Sequence, residues 1–236
     1  MISIYSLKVT RENTFQIYKM TDDYLDIALF PIPGMVCFPY CSTPLHVFEP
    51  RYRRLVEEAL ERNMLVGMCN TVKKISIAKT TESLEDALQT NQSTYEPAKI
   101  FGAGYCKLLD KTPDGRIYVN IDCIYRVQSE LEMQTLPYTI MRCKEVVDTY
   151  VTDQTTTLEL QSKIIDLVSQ MVLTKYPKQK SKFDIKKWSS LHYNVFAFKI
   201  FQILKLDPPI MQSLLETTNP QQRLLKVYSY LTKTVS

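Results

Sequence analysis

The run Pro44-Leu45-His46-Val47-Phe48-Glu49-Pro50-Arg51-Tyr52-Arg53-Arg54-Leu55-Val56-Glu57-Glu58-Ala59-Leu60 changes hydrophobic period halfway along, and that change constrains how the rest of the chain can be arranged. Leu45 and Val47 alternate with their neighbours as on a half-buried strand. Tyr52, Leu55, Val56, Ala59 and Leu60 fall three and four apart, as on one face of a helix. Glu49-Pro50 is the junction. Proline is tolerated in the first helical turn, where its absent N–H would be unpaired, and the preceding carboxylate can face the positive helix start. The segment predicts strand, turn and helix, with the helix ending near Arg62-Asn63.

Both flanks of this corner read as short strands. Upstream, Ile2, Ile4, Leu7 and Val9 nearly alternate. The run from Ile27 to Pro33 carries Pro31 and Pro33, which forbid a helix and favour an extended, edge-like path. Gly34 permits a turn, Met35 to Phe38 is a second extended piece, and a loop from Tyr40 to Pro44 leads to the corner. Downstream, Met64 to Cys69 has buried-strand character. Residues 70–96 form a polar excursion with one expected helical turn at Ser83 to Leu88. Thr112-Pro113-Asp114-Gly115-Arg116 is a turn signal between two runs of strand character, Ile100 to Leu109 and Ile117 to Val127, and predicts a hairpin. Alternation returns from Pro137 to Val147.

Beyond Asp148 the period is helical. Leu158, Ile164, Ile165, Val168, Met171 and Val172 trace one face, with Asp153 or Thr155 as cap. A second helix is expected from about Ser189 to Lys205, apolar nearly all round. Asp207-Pro208 and Asn219-Pro220 are cap-plus-proline starts for two more. The expectation is an α+β chain: a twisted, partly closed β domain with one helix over residues 1–150, then a bundle of three or four helices over 151–236.

Composition removes several function classes. No apolar run approaches the roughly 20 residues of a membrane span, and no secretory pattern opens the chain, so a cytoplasmic address is expected. Six cysteines occur without a C-x-x-C pair and with only two histidines, which predicts small buried hydrophobes and neither a metal site nor a cofactor. The five glycines stand at 34, 67, 102, 104 and 115, and none sits in a phosphate-binding loop. Gly102-Ala103-Gly104 lacks the third glycine and following helix of a dinucleotide site. His46 and Glu49 with Cys37 or Cys41 could be arranged as nucleophile and base, yet nothing supplies an orienting group or oxyanion site, so a structural histidine is expected. Charge is uneven: residues 1–150 hold 17 basic against 19 acidic side chains, residues 151–236 hold 12 against 6. Lys175, Lys178, Lys180, Lys182, Lys186 and Lys187 concentrate the excess, as a solvated loop first and an anion-binding patch second.

Four places carry a family resemblance: Leu29-Phe30-Pro31-Ile32 with Phe38-Pro39, the Pro44 to Tyr52 run, Pro113-Asp114-Gly115-Arg116, and Leu206-Asp207 through Leu215 followed by Gln222-Arg223-Leu224-Leu225. Over residues 25 to 232 the chain resembles the substrate-binding N-terminal domain of the Lon protease, in its stand-alone form. It departs at Tyr40 and at Asp122-Cys123, where the family usually has glycine. The resemblance implies a PUA-like β domain packed on helices. It also implies a non-enzymatic module that binds unfolded or tagged polypeptide for a protease, without Lon's ATPase and peptidase. His46, Phe48, Glu49, Pro50, Arg51 and Tyr52 are expected to build the corner, with Glu49 and Arg51 or Arg53 as a polar clasp. Met35, Phe38 and Tyr40, in the neighbouring proline-flanked segment, are the expected substrate contacts, although core packing also accounts for Phe38. The alternative is an RNA binder using the sheet and the lysine cluster. A hydrolase is a third reading.

Overall fold

A computed structural model describes residues 5–9, 15–19, 24–76, 91, 93–175 and 184–235. In chain order the strands are β1 (Tyr5–Val9), β2 (Phe15–Lys19), β3 (Leu25–Pro31), β4 (Ser42–Val47), β5 (Leu65–Cys69), β6 (Thr71–Ser76), β7 (Thr94–Pro97), β8 (Ile100–Lys111), β9 (Ile117–Gln134) and β10 (Ile140–Glu145). The helices are α1 (Pro50–Arg62), α2 (Gln154–Lys175), α3 (Ile185–Ser189), α4 (Tyr193–Lys199), α5 (Pro208–Glu216) and α6 (Pro220–Val235), with a 3-10 turn at Ile200–Gln202 after α4.

The main sheet runs β10-β3-β5-β8-β9-β4, and β9 also pairs with β10, so five strands close into a ring with β4 attached to its rim. Closure depends on the 18 residues of β9. Its first half lies between β8 and β4, and its second half pairs with β10. β3 and β5 are parallel, which requires a crossover, and β4 with α1 supplies it. β3 is extended as its prolines demand but is not an edge: it lies between β10 and β5. Pro31 is its last residue and Pro33 lies beyond it, so Ile27 to Phe30 keep their donors for both neighbours.

Strand alternation divides the apolar residues between two cores. Ile27, Leu29, Leu65, Phe101, Ala103, Val127 and Cys143 fill the ring. Ala28, Phe30, Val66, Met68, Val119 and Ile121 face the other way, onto Tyr52, Leu55, Val56 and Ala59 of α1. In β9, Ile117 to Cys123 face α1 and Val127 faces the ring although all are odd-numbered, because the ladder with β8 slips at Ala103/Gly104. One extra residue in a strand reverses the face of everything beyond it. Gly104 is required at this slip, since a Cβ there would stand 1.9 Å from the Asp122 carbonyl oxygen.

The polar excursion is bounded by structure, because β6 and β7 pair antiparallel across it. The helical turn expected at Ser83 to Leu88 lies outside the described residues, as do Ile2 and Ile4. β1 and β2 pair antiparallel as a two-stranded sheet of their own.

In the helical part the Asp153 carboxylate accepts from the Thr156 N–H at 3.0 Å and caps α2. The Asn219 side chain caps α6 through the Gln222 N–H at 3.0 Å, whereas Asp207 makes no side-chain cap bond. The single helix expected from Ser189 to Lys205 is broken instead. α3 ends at Ser189, His192 Nδ1 accepts from the Asn194 N–H to start α4, and the chain tightens into the 3-10 turn after Lys199. Five α-helices therefore follow residue 150 among the described residues, against the expected three or four. Phe38 and Cys41 from the β half enter the helical core, where Phe38 stacks on Phe201 at 4.0 Å between ring centres. No helix among the described residues is long and apolar enough to cross a membrane.

Candidate functional site: a cleft at the strand-to-helix corner

The strand-to-helix corner bounds a cleft of about 300 Å³. Three stretches distant in sequence form it: Phe30 to Pro33 at the end of β3, Leu45 to Tyr52 across β4 and the start of α1, and Ser93 with Tyr95 beside β7. The crossover between β3 and β5 creates it, because α1 must leave β4 and pass over the end of β3.

Its floor is apolar. The Phe30 and Tyr52 rings stack at 4.1 Å, and Leu45 and Val47 are buried beside them. Burial pushes the Tyr52 phenol up to about 12.

Its rim is polar but paired within the protein. Arg51 Nη2 lies 3.0 Å from Glu49 Oε2, with both side chains 14% exposed. The same guanidinium donates to the Ser93 carbonyl at 3.0 Å and to Thr94 Oγ1 at 3.2 Å, and the Arg51 N–H donates to Asn91 Oδ1 at 3.1 Å. Arg51 thus ties the helix start to the strand that returns from the polar excursion, while its Cζ sits 4.6 Å over the Tyr52 ring. The Glu49 carbonyl accepts from the Tyr52 and Arg53 N–H groups at 3.0 and 2.9 Å, but its carboxylate makes no cap bond to the helix N-terminus and turns to Arg51. On the outer face, His46 is exposed and stacks on Tyr118 with ring centres 4.6 Å apart and planes 7° from parallel; Phe48 is next to it at 5.8 Å.

The expected substrate contacts lie elsewhere. Met35 is half-buried against the core beneath α1, and Tyr40 is 52% exposed but outside the cleft. Phe38 is 1% exposed and stacks on Phe201, within the helical core. Five residues expected to build the corner, His46, Phe48, Glu49, Arg51 and Tyr52, also line the cleft, while Pro50 takes its place at the first turn of α1. Sequence reasoning missed Ser93 and Tyr95, which lie in a polar stretch without periodicity. It also missed the lining role of Pro31 and Pro33, whose spacing was the available signal.

Among the described residues nothing at this corner assembles a nucleophile with a base. The Cys41 thiol donates to the Phe198 carbonyl at 3.5 Å and Cys37 meets Thr43 Oγ1 at 3.5 Å, so neither is directed at His46. Burial raises the Cys41 thiol to about 12, far from a reactive thiolate. All six cysteines are free, and Cys106 alone among them is half-buried where the rest are buried. Among the described residues no three His, Cys, Asp or Glu side chains are grouped to hold a metal. Of the lysine cluster, Lys178, Lys180 and Lys182 lie outside the described residues, and Lys186 and Lys187 are exposed on α3.

The family described as the ATP-dependent protease La (LON) substrate-binding domain matches residues 26–233. This chain belongs to that family. The N-terminal domain of the Mycobacterium avium complex Lon protease is similar in structure, with a TM-score of 0.62 and 13% identity over 88% of this chain and 98% of that one. The Lon N-terminal domain protein from Xanthomonas campestris has a TM-score of 0.52 and 17% identity over 88% and 98%. At these identities the likeness is one of fold. No curated protein matches the chain. In this Lon substrate-binding domain, Tyr40 has a φ of 65°, in the left-handed region that glycine adopts freely.

Proposed function

We propose that this Lon substrate-binding domain is a non-enzymatic module that holds unfolded polypeptide in the corner cleft and passes it to a protease. The observation that carries the reading is a concave apolar floor whose charged rim residues are already bonded to protein partners. Such a site favours uncharged side chains and supplies no group poised for chemistry. A folded domain buries most of its large apolar side chains, so segments that have lost their fold present more of them to this floor.

Fluorescence titration with a reduced, carboxymethylated protein and with its native form tests the reading. The unfolded form should bind and the native form should not. Phe48→Asp places an uncompensated charge at the mouth and should weaken binding about tenfold or more, equivalent to at least about 1.4 kcal/mol. Equal binding by Phe48→Asp removes the cleft from consideration. Transfer to a protease is tested separately, by capturing partners from the native cell and identifying them by mass spectrometry; absence of any protease would sink that step alone.

A further inference from the structure

Among the described residues β4 pairs on one side only, with β9, so its other edge faces outward at the rim of the main sheet. The outward rungs are Ser42, Pro44 and His46. Ser42 fixes the parity, because its N–H donates away from β9 to Gln202 Oε1 at 2.7 Å and its carbonyl accepts from Gln202 Nε2 at 3.1 Å. The close stacking of His46 on Tyr118 agrees, since side chains approach most closely at antiparallel pairs that do not exchange backbone bonds.

The three rungs differ in what they offer. At Ser42 the Gln202 amide satisfies both donor and acceptor, as a neighbouring strand would. At Pro44 there is no N–H to give. At His46 the N–H and carbonyl both face outward beside the cleft lined by Leu45, Val47 and Phe48. Open strand edges invite pairing, and proteins usually block them. Here two rungs are restricted and the one beside the apolar cleft is left open.

Resting on the polypeptide-binding reading above, we propose that an extended, uncharged polypeptide segment adds to β4 as a further strand. Its backbone pairs with His46 and one apolar side chain enters the cleft. Gln202 acts as a positioning residue that limits the pairing to that rung. An extended polypeptide backbone matches an adjacent N–H and C=O on a strand edge and can carry an apolar side chain into the pocket beside it. The occupant is uncharged because the opposite charges of Glu49 and Arg51, 3.0 Å apart, leave the cleft no net charge to compensate another.

The test uses the whole chain and a short fluorescent peptide of alternating Val, Thr and Leu, alongside the same peptide N-methylated at alternate backbone amides. Fluorescence polarisation should show binding of the parent and weakening on N-methylation. His46→Pro removes the outward N–H without touching the bonds to β9, and should weaken binding roughly 2- to 10-fold, the worth of one hydrogen bond. His46→Ala retains that N–H and should bind more tightly than His46→Pro. Gln202→Ala frees a second rung and should tighten binding by a similar factor, a change that damaged folding cannot produce. Equal affinity for both peptides, with His46→Pro no worse than His46→Ala, overturns strand addition; if Phe48→Asp still abolishes binding, the cleft reading survives it. Failure of both the peptide and the unfolded protein to bind the unaltered chain overturns both.

Discussion

Arg223 donates to both carboxylate oxygens of Asp148, at 3.0 and 2.6 Å, with its own side chain wholly buried. Asp148 is shared: Arg126 of β9 reaches the same carboxylate at 2.8 Å. Two guanidiniums on one carboxylate leave a buried positive charge. The C-terminal end of α5 offsets it, because Arg126 donates to the carbonyls of Leu215 and Thr217, and Arg223 to those of Leu214 and Thr217. These are the acceptors that a helix end leaves unpaired, at the negative pole of its dipole. The Phe198 ring adds its face, 3.8 Å from Arg223 Cζ. Ring, connection and two helices are joined here by charge and hydrogen bonds.

Removing the shared acid should therefore be among the most damaging single changes. Asp148→Asn keeps the shape and strands two buried cations, and should cost about 3–5 kcal/mol. Urea denaturation checks this.

At the cleft, Glu49→Ala should lower stability by roughly 1.5–3 kcal/mol, the range for a hydrogen bond to a charged group. The loss arises because Arg51 keeps its bonds to Ser93 and Thr94 but loses its counter-ion. A Glu49→Ala protein of unchanged stability would show the pair to be dispensable for folding.

Tyr40 occupies left-handed backbone at φ 65°. Glycine adopts that conformation freely, whereas other residues pay about 1–2 kcal/mol for it, partly offset by glycine's larger unfolded-state entropy. Thermal melts of Tyr40→Gly should show unchanged stability or a gain of up to about 1 kcal/mol. Affinity for unfolded polypeptide should not change, because Tyr40 lies outside the cleft.

Alkaline pH should destabilise the fold. Burial raises the Cys41 and Cys143 thiols from 9.0 to about 12, and the Tyr52 phenol from 10.0 to about 12. A raised pKa means that the folded state binds the proton more tightly. The stabilisation is whole below the unfolded values near 9 and 10 and is lost as pH rises through 12. Melting temperatures measured from pH 8 upward should fall over that window, and a flat profile would contradict it. At pH 8 a thiol reagent should titrate these cysteines slowly until urea is added.

Much of the fold was legible because its signals are local. The buried face of α1, Tyr52, Leu55, Val56 and Ala59, follows directly from spacing. The Thr112 to Arg116 turn joins β8 to β9 as expected, with Gly115 at φ 88°. Asp153 and Asn219 were recognisable caps because a cap acts within three residues. The helix expected from Ser189 to Lys205 failed for the opposite reason. Its residues are apolar all round, and such a run shows no phase at which His192 would be seen to interrupt it. The slip at Gly104 was equally hidden, since Ile117 to Val127 keeps one parity throughout in sequence and changes face only against β8.

The sequence by itself determined the succession of a strand-rich part and a helical part, the strand-to-helix corner and the family, all of which rest on residue spacing and local backbone chemistry. Only the tertiary structure decided that β9 closes a ring, that Asp148 gathers Arg126 and Arg223, and that the corner lines a cleft completed by Phe30, Ser93 and Tyr95. Those depend on contacts between residues tens of positions apart, which periodicity does not encode. The corner residues were legible as the builders of a turn; their second role, as the wall of a cleft, exists only once β3 and β7 are brought beside them.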